Sequence, residues 1–159
     1  MGQHSEVVQI VLLLPVLVLS VVLHEVAHGW VALKQGDDTA LRAGRLTLNP
    51  IPHIDLFGSI ILPALLWLMP GHVLFGWAKP VPVDPRLFRN YRKGDILVSL
   101  AGVTANLLLA VAFTLLTAAL VYLTRLLVPL APALNLLVDM ASIGILLNLI
   151  LAFFNLVPI

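Results

Sequence analysis

The sequence predicts an all-α polytopic membrane protein with about three spanning helices, a re-entrant or interfacial segment, and short membrane-associated strands or loops. Three observations predict it. Of 159 residues, 60% are hydrophobic and only 11% charged, and the mean hydropathy is +1.05, far from the composition of a soluble globular domain. The apolar residues gather into runs of about spanning length, at 7–33, 96–123 and 135–154. The basic residues gather too: of nine Lys and Arg, eight lie between Lys34 and Lys93. A net charge of +1 makes no case for a nucleic-acid partner, and the absence of cysteine excludes disulfides and thiolate metal ligands.

Taken in order, residues 1–9 hold no Lys or Arg, so they lack the charged start of a signal peptide and the first apolar run is expected to stay as a membrane helix. That run, 7–33, contains Pro15, a potential kink, and ends at Lys34. The stretch from Lys34 to Asp55 is polar. It opens on a turn at Gln35, Gly36, Asp37 and Asp38, and alternates at 45–48 before Asn49 and Pro50, a short strand at best. His53 and Asp55 read as a solvated or capping pair. Residues 56–75 are apolar but broken by Pro63 and by Pro70, Gly71 and His72. Gly76 to Val83 is kept extended by Pro80 and Pro82. Arg86, Arg89, Arg92 and Lys93 form a basic cluster suited to anionic lipid. The second span, 96–123, carries the small residues Ala101 and Gly102 followed by Asn106, and ends at Arg125. After Pro129 and Pro132 comes the third span, with Asp139, Asn148 and Asn155.

One motif inside the first run carries chemistry. His24, Glu25 and His28 form H-E-x-x-H. On a helix the two histidines are i and i+4, so both imidazoles project from one face at the spacing two nitrogen ligands need to share a tetrahedral Zn²⁺. Glu25 follows the first ligand directly, where its carboxylate can take a proton from water that such a metal polarises. The bland alternative is a polar cluster that packs helices. A carboxylate near the middle of a membrane helix costs about 2.5–3.5 kcal/mol on insertion scales, so such groups persist when they face a polar cavity or bind something.

The gathered basic residues place 34–93 in the cytoplasm by the positive-inside rule, provided 56–75 dips in and returns or lies along the interface. The N-terminus is then outside, and the histidines lie near the cytoplasmic face.

The H-E-x-x-H of residues 24–28, then G-R-L-T-L-N-P at 44–50, G-W-A-K-P-V-P-V at 76–83, Ala101 and Gly102 with Asn106, and F-N-L-V-P-I at 154–159 together resemble the site-2 protease family of intramembrane zinc metalloproteases, in its compact prokaryotic branch without a PDZ domain. The resemblance runs in order over nearly the whole chain. It implies one transmembrane metalloprotease core over residues 1–159, in the plasma membrane of a prokaryote, with the site toward the cytoplasmic face. It implies that His24 and His28 ligate one Zn²⁺, that Glu25 is the general base, and that Asn155 and Asn106 help bind a transmembrane protein substrate, the oligomeric state being open. Two departures stand out. Val103 occupies the proline position of the family's A-G-P-x-x-N. The family pattern also continues past N-L-x-P-I to L-D-G, whose aspartate is the third zinc ligand, whereas this chain stops at Ile159. The chain therefore reads as a C-terminally truncated copy, itself inactive. Two rivals remain: a metal-binding or transport membrane protein, which would place ligands along a path across the bilayer, and a catalytically dead homologue that only binds membrane helices, against which Glu25 argues.

Overall fold

Three stretches of this chain contain nothing strong enough to stop a helix, and each forms one. The computed structural model describes residues 6–69 and 76–156. Helix α1 is Glu6–Gln35 and passes through Pro15 without ending. After α2 (Thr39–Arg42) and α3 (Leu62–Leu68), helix α4 is Tyr91–Leu126 and α5 is Ala131–Leu156. All three long helices are apolar and long enough to cross a membrane. At ~1.5 Å per residue even α5 reaches ~39 Å against a ~30 Å hydrocarbon core.

The helices outrun their apolar stretches because polar residues cap them. Helix α4 starts five residues before the apolar run, where the Asn90 side chain accepts from the Lys93 amide at 3.0 Å. At the end of α1, Gly36 takes φ +113°, a conformation only glycine adopts cheaply. The amides of Gly36 and Asp37 bond back to the carbonyls of Leu33 and Ala32 at 3.1 and 3.0 Å, a Schellman closure.

The chain divides into two compact units, Met1–His24 with Ser99–Ile159, and Glu25–Val98. In the first, buried residues recur at helical spacing: Val16 and Ser20 on α1; Asn106, Ala110, Phe113 and Leu120 on α4; Ala141, Gly144, Asn148 and Ala152 on α5. Val16, Phe113, Leu120 and Ala141 pack together. Gly144 lets the Phe113 ring approach α5, since a Cβ there would lie 2.7 Å from the ring. Asn148 donates to the Ser20 hydroxyl and to the Gly144 carbonyl, both at 2.9 Å. The outward faces are apolar, with Leu108, Leu115, Leu146 and Phe153 all more than half exposed. Apolar outside and polar inside is the arrangement hydrocarbon selects.

In the second unit, Ala32, Phe88 and Val98 form the core, and the connection 36–90 is built from short pieces. A 3-10 turn (Ile51–His53) leads to a π-helical turn (Leu56–Ile61) that runs directly into α3. The apolar helix Leu56–Leu68 is ~20 Å long, short of a crossing. The break expected at Pro70, Gly71 and His72 lies outside the described residues. The Arg89 amide donates to the Gln35 carbonyl at 2.8 Å. Arg89 is thereby held beside the end of α1, from which the connection left.

The short strand expected at 45–48 does not form, and among the described residues there is no strand. Side chains have taken the groups a ladder needs. The Thr47 hydroxyl accepts from the Asn49 amide at 3.1 Å, and the Thr47 carbonyl bonds His53 Nε2 at 3.0 Å. The extended run 76–84 is likewise bonded piecemeal. The Trp77 amide donates to the Gly58 carbonyl, the Lys79 amide to that of His53, and the Asp84 amide to Asp37 Oδ2 at 2.7 Å. Buried Arg45 caps the carbonyls of Lys79 and Pro80 at 2.6 and 3.3 Å.

Asp37 is fully buried and also accepts from the amide and hydroxyl of Thr39. Asp37→Ala should therefore leave the Asp84 and Thr39 amides unpaired, at about 1–3 kcal/mol each. Thermal unfolding in detergent checks this, and Asp37→Asn, which keeps an acceptor, should lose less.

Candidate metal centre

His24, Glu25 and His28 fall on consecutive turns of α1, so the helix itself sets their spacing: i and i+4 share a face and i+1 is offset from it. The boundary between the two units falls after His24, and each residue is held by its own unit.

In the second unit, His28 Nδ1 lies 2.7 Å from the Val98 carbonyl oxygen. A carbonyl only accepts, so Nδ1 must carry the hydrogen, and in the neutral ring Nε2 is then the bare nitrogen. That tautomer, with the other ring nitrogen tied to a carbonyl, is the one a metal-ligating histidine adopts. Glu25 is half-buried, and its Oε2 accepts from the Val81 amide at 2.7 Å. A carboxylate offers about four acceptor sites, so one N–H orients it without using up its capacity for a proton. Gly29 makes this approach possible. A Cβ there would lie 2.7 Å from Leu46 Cδ2, 2.9 Å from Val81 Cγ1 and 3.0 Å from Ala40 Cβ.

In the first unit, His24 is 8% exposed, and its Nδ1 lies 3.0 Å from the Asn106 amide group. Asn106, expected to help bind substrate, is fully buried. It stands behind a histidine rather than on a surface that a peptide could line. Asn155 is exposed, with its Nδ2 donating to the Leu151 carbonyl at 2.7 Å. The N-L-x-P-I motif to which it belongs continues into 157–159, outside the described residues.

Asp55, His53 and Asp84 are occupied elsewhere. Asp55 caps the turn after it, accepting from the Gly58 amide at 2.6 Å, and His53 is buried against Thr47. Hydrogen bonds from Arg86 hold the Asp84 carboxyl below its ordinary range. Asp139 lies on α5, in the other unit from His28. Among the described residues no group of three or more His, Cys, Asp or Glu could hold a metal ion. The residues of the motif are of the types zinc accepts, and His28 is in the ligating tautomer; a catalytic zinc site uses three protein ligands.

A protein of Bacillus subtilis (strain 168) named "Putative zinc metalloprotease YwhC" is 45% identical over 144 residues, spanning 90% of this chain and 61% of that protein. A protein of Mycolicibacterium smegmatis (strain ATCC 700084 / mc(2)155) named "Putative zinc metalloprotease Rip2" is 37% identical over 101 residues, 64% of this chain and 38% of its own length. Both relatives carry the same description, zinc metalloprotease, and the chain is similar to them over these spans. It spans about three fifths of the first relative's length and less than two fifths of the second's. No family model and no solved structure matches the chain.

Within this chain, two partners leave almost no mark in the motif. The Val98 carbonyl is backbone and leaves no trace in residue type. Val81 carries a faint signal, as the one residue between Pro80 and Pro82, where its amide is the only donor the three residues own. Gly29→Val should push Val81 and Leu46 away from α1 and cost about 1–3 kcal/mol by overpacking, read as a lower unfolding midpoint. Gly44→Ala, with nothing within 4 Å of an added Cβ but φ +65°, should show only backbone strain.

Proposed function

We propose that this chain is the catalytic core of a zinc endopeptidase that cleaves transmembrane segments of other membrane proteins. The observation that supports it best is the H-E-x-x-H on an apolar helix long enough to cross a membrane, with His28 in the metal-ligating tautomer and the Glu25 carboxylate oriented by the Val81 amide. The relatives' names supply the metal and the reaction class.

His24 and His28 would hold the zinc, with the aspartate of an L-D-G segment as the third ligand. Bound zinc supplies Lewis acidity, activating water and polarising the scissile carbonyl. Glu25 accepts the proton that water gives up, and returns it to the leaving amine. A substrate helix must unwind locally before this chemistry, because its amides are shielded by their own hydrogen bonds. Asn155, on the last turn of α5, would bond the extended backbone so exposed, as in strand addition.

Glu25→Gln keeps the Val81 bond and both histidines and removes only the base. Zinc content should be unchanged and cleavage of a tagged membrane substrate reduced ~10²–10⁴-fold; wild-type-like cleavage would overturn the assignment.

The site is proposed to face the cytoplasm of a prokaryotic cell, on the weight of the basic residues between Lys34 and Lys93. Cysteines placed at Gln35 and Arg89, whose backbones are hydrogen-bonded to each other, should be labelled from the same side, and that side should be the cytoplasmic one. Labelling of both from outside reverses the orientation.

A further inference from the structure

The contact between Asn106 and His24 poses a chemical choice. As placed, Asn106 Nδ2 faces His24 Nδ1 at 3.0 Å, while Asn106 Oδ1 is buried with no hydrogen-bond partner. Two nitrogens bond only if one carries a hydrogen and the other does not. If Nδ2 donates, Nδ1 is bare, the neutral ring carries its hydrogen on Nε2, and Asn106 leaves a carbonyl oxygen unsatisfied in an apolar interior. If the amide is turned by half a rotation, Oδ1 meets Nδ1–H and the orphaned oxygen gains its partner. The same exchange moves the bare nitrogen of the ring to Nε2. An amide's two ends are interchangeable in shape, so the hydrogen-bond network decides between them.

We infer that Asn106 is a positioning residue: its Oδ1 accepts the His24 Nδ1 hydrogen, fixing this ring in the tautomer whose Nε2 can bind zinc. The inference rests on the zinc-site reading of the motif. Two features carry it beyond the bare contact. His28 is already held in that tautomer by the Val98 carbonyl, and a histidine that ligates a metal almost always donates its other ring N–H to a carbonyl, carboxylate or water, the part Oδ1 would play for His24. The turned amide also gives Nδ2 a familiar outlet. Asn148 and Asn155 each donate Nδ2 to the carbonyl four residues back, at 2.9 and 2.7 Å, and a helical asparagine at 106 has the same option. Asn106 is fully buried, so its acceptor is not exchanged for bulk water.

The test uses the full-length protein in detergent micelles and two readouts. The first needs no metal. Nitrogen-15 spectra of histidine-labelled apo protein, with His24 assigned by its loss in His24→Ala, report which ring nitrogen carries the hydrogen. The expected result is Nδ1–H in the wild type and a tautomer mixture in Asn106→Leu. The second is zinc affinity by chelator competition. Asn106→Leu keeps the volume and removes the acceptor, and should bind zinc ~10–100-fold more weakly. Asn106→Asp restores an acceptor-only group and should bind at least as tightly as the wild type. A purely structural asparagine predicts the reverse order, because an uncompensated buried carboxylate disrupts packing more than leucine does. Nε2–H in the wild type, wild-type affinity in Asn106→Leu, or an Asp variant as weak as the Leu variant each overturns the inference. A wild type that shows Nδ1–H but takes up no zinc removes the protease reading and leaves the orienting role of Asn106 standing.

Discussion

A polar atom carried into the interior of this molecule is costly unless it finds a partner there, and most of its irregular architecture follows from that cost. In hydrocarbon an unpaired donor costs several kcal/mol, because no water replaces the lost partner. The long helices meet the condition by themselves. The described parts of the connection between α1 and α4 that are not helical cannot, and they borrow partners from side chains. Asp37 serves the amides of Thr39 and Asp84, Arg45 serves the carbonyls of Lys79 and Pro80, and Glu25 serves the amide of Val81. The residue proposed to do chemistry is thus also one of the residues that hold the connection in place. This dual use ties the orientation of the carboxylate to the fold of the segment beside it.

How far the sequence revealed this depended on what kind of signal each feature leaves. The three long helices were legible because apolar runs of spanning length have few other fates. That His24 and His28 stand one turn apart on a single helix was legible too, because it follows from spacing inside an apolar run. Asp55 was readable as a cap, since a carboxylate just ahead of an apolar run has an obvious donor to serve. The run at 45–48 shows the opposite case. Alternation suggested a strand, but a ladder needs unclaimed backbone groups; the Thr47 hydroxyl takes the Asn49 amide, His53 takes the Thr47 carbonyl and Arg45 takes the Lys79 carbonyl. Nothing local announces that competition. Asn106 was expected to help bind substrate; its buried position behind His24 depends on which face of α4 turns inward, and a helix with apolar residues on all sides gives little indication of that.

The segment beside Glu25 shows how composition directs a single hydrogen bond. Lys79 and Val81 each precede a proline, which disfavours helical backbone and keeps both extended. Extended chain ordinarily seeks a ladder, and a ladder here would draw the Val81 amide away from the carboxylate. Pro80 and Pro82 prevent it by removing the donors on either side. The carbonyls of Lys79 and Pro80, which could still have accepted from a neighbouring strand, are taken by Arg45. With those alternatives removed, the Val81 amide donates to Glu25 Oε2 at 2.7 Å. Gly29 then matters less for its own flexibility than for the side chain it lacks, because any Cβ at that position would meet Val81 before Val81 met Glu25. The prolines, the arginine and the glycine act on one contact from three directions, and that contact orients the only acidic residue of the motif.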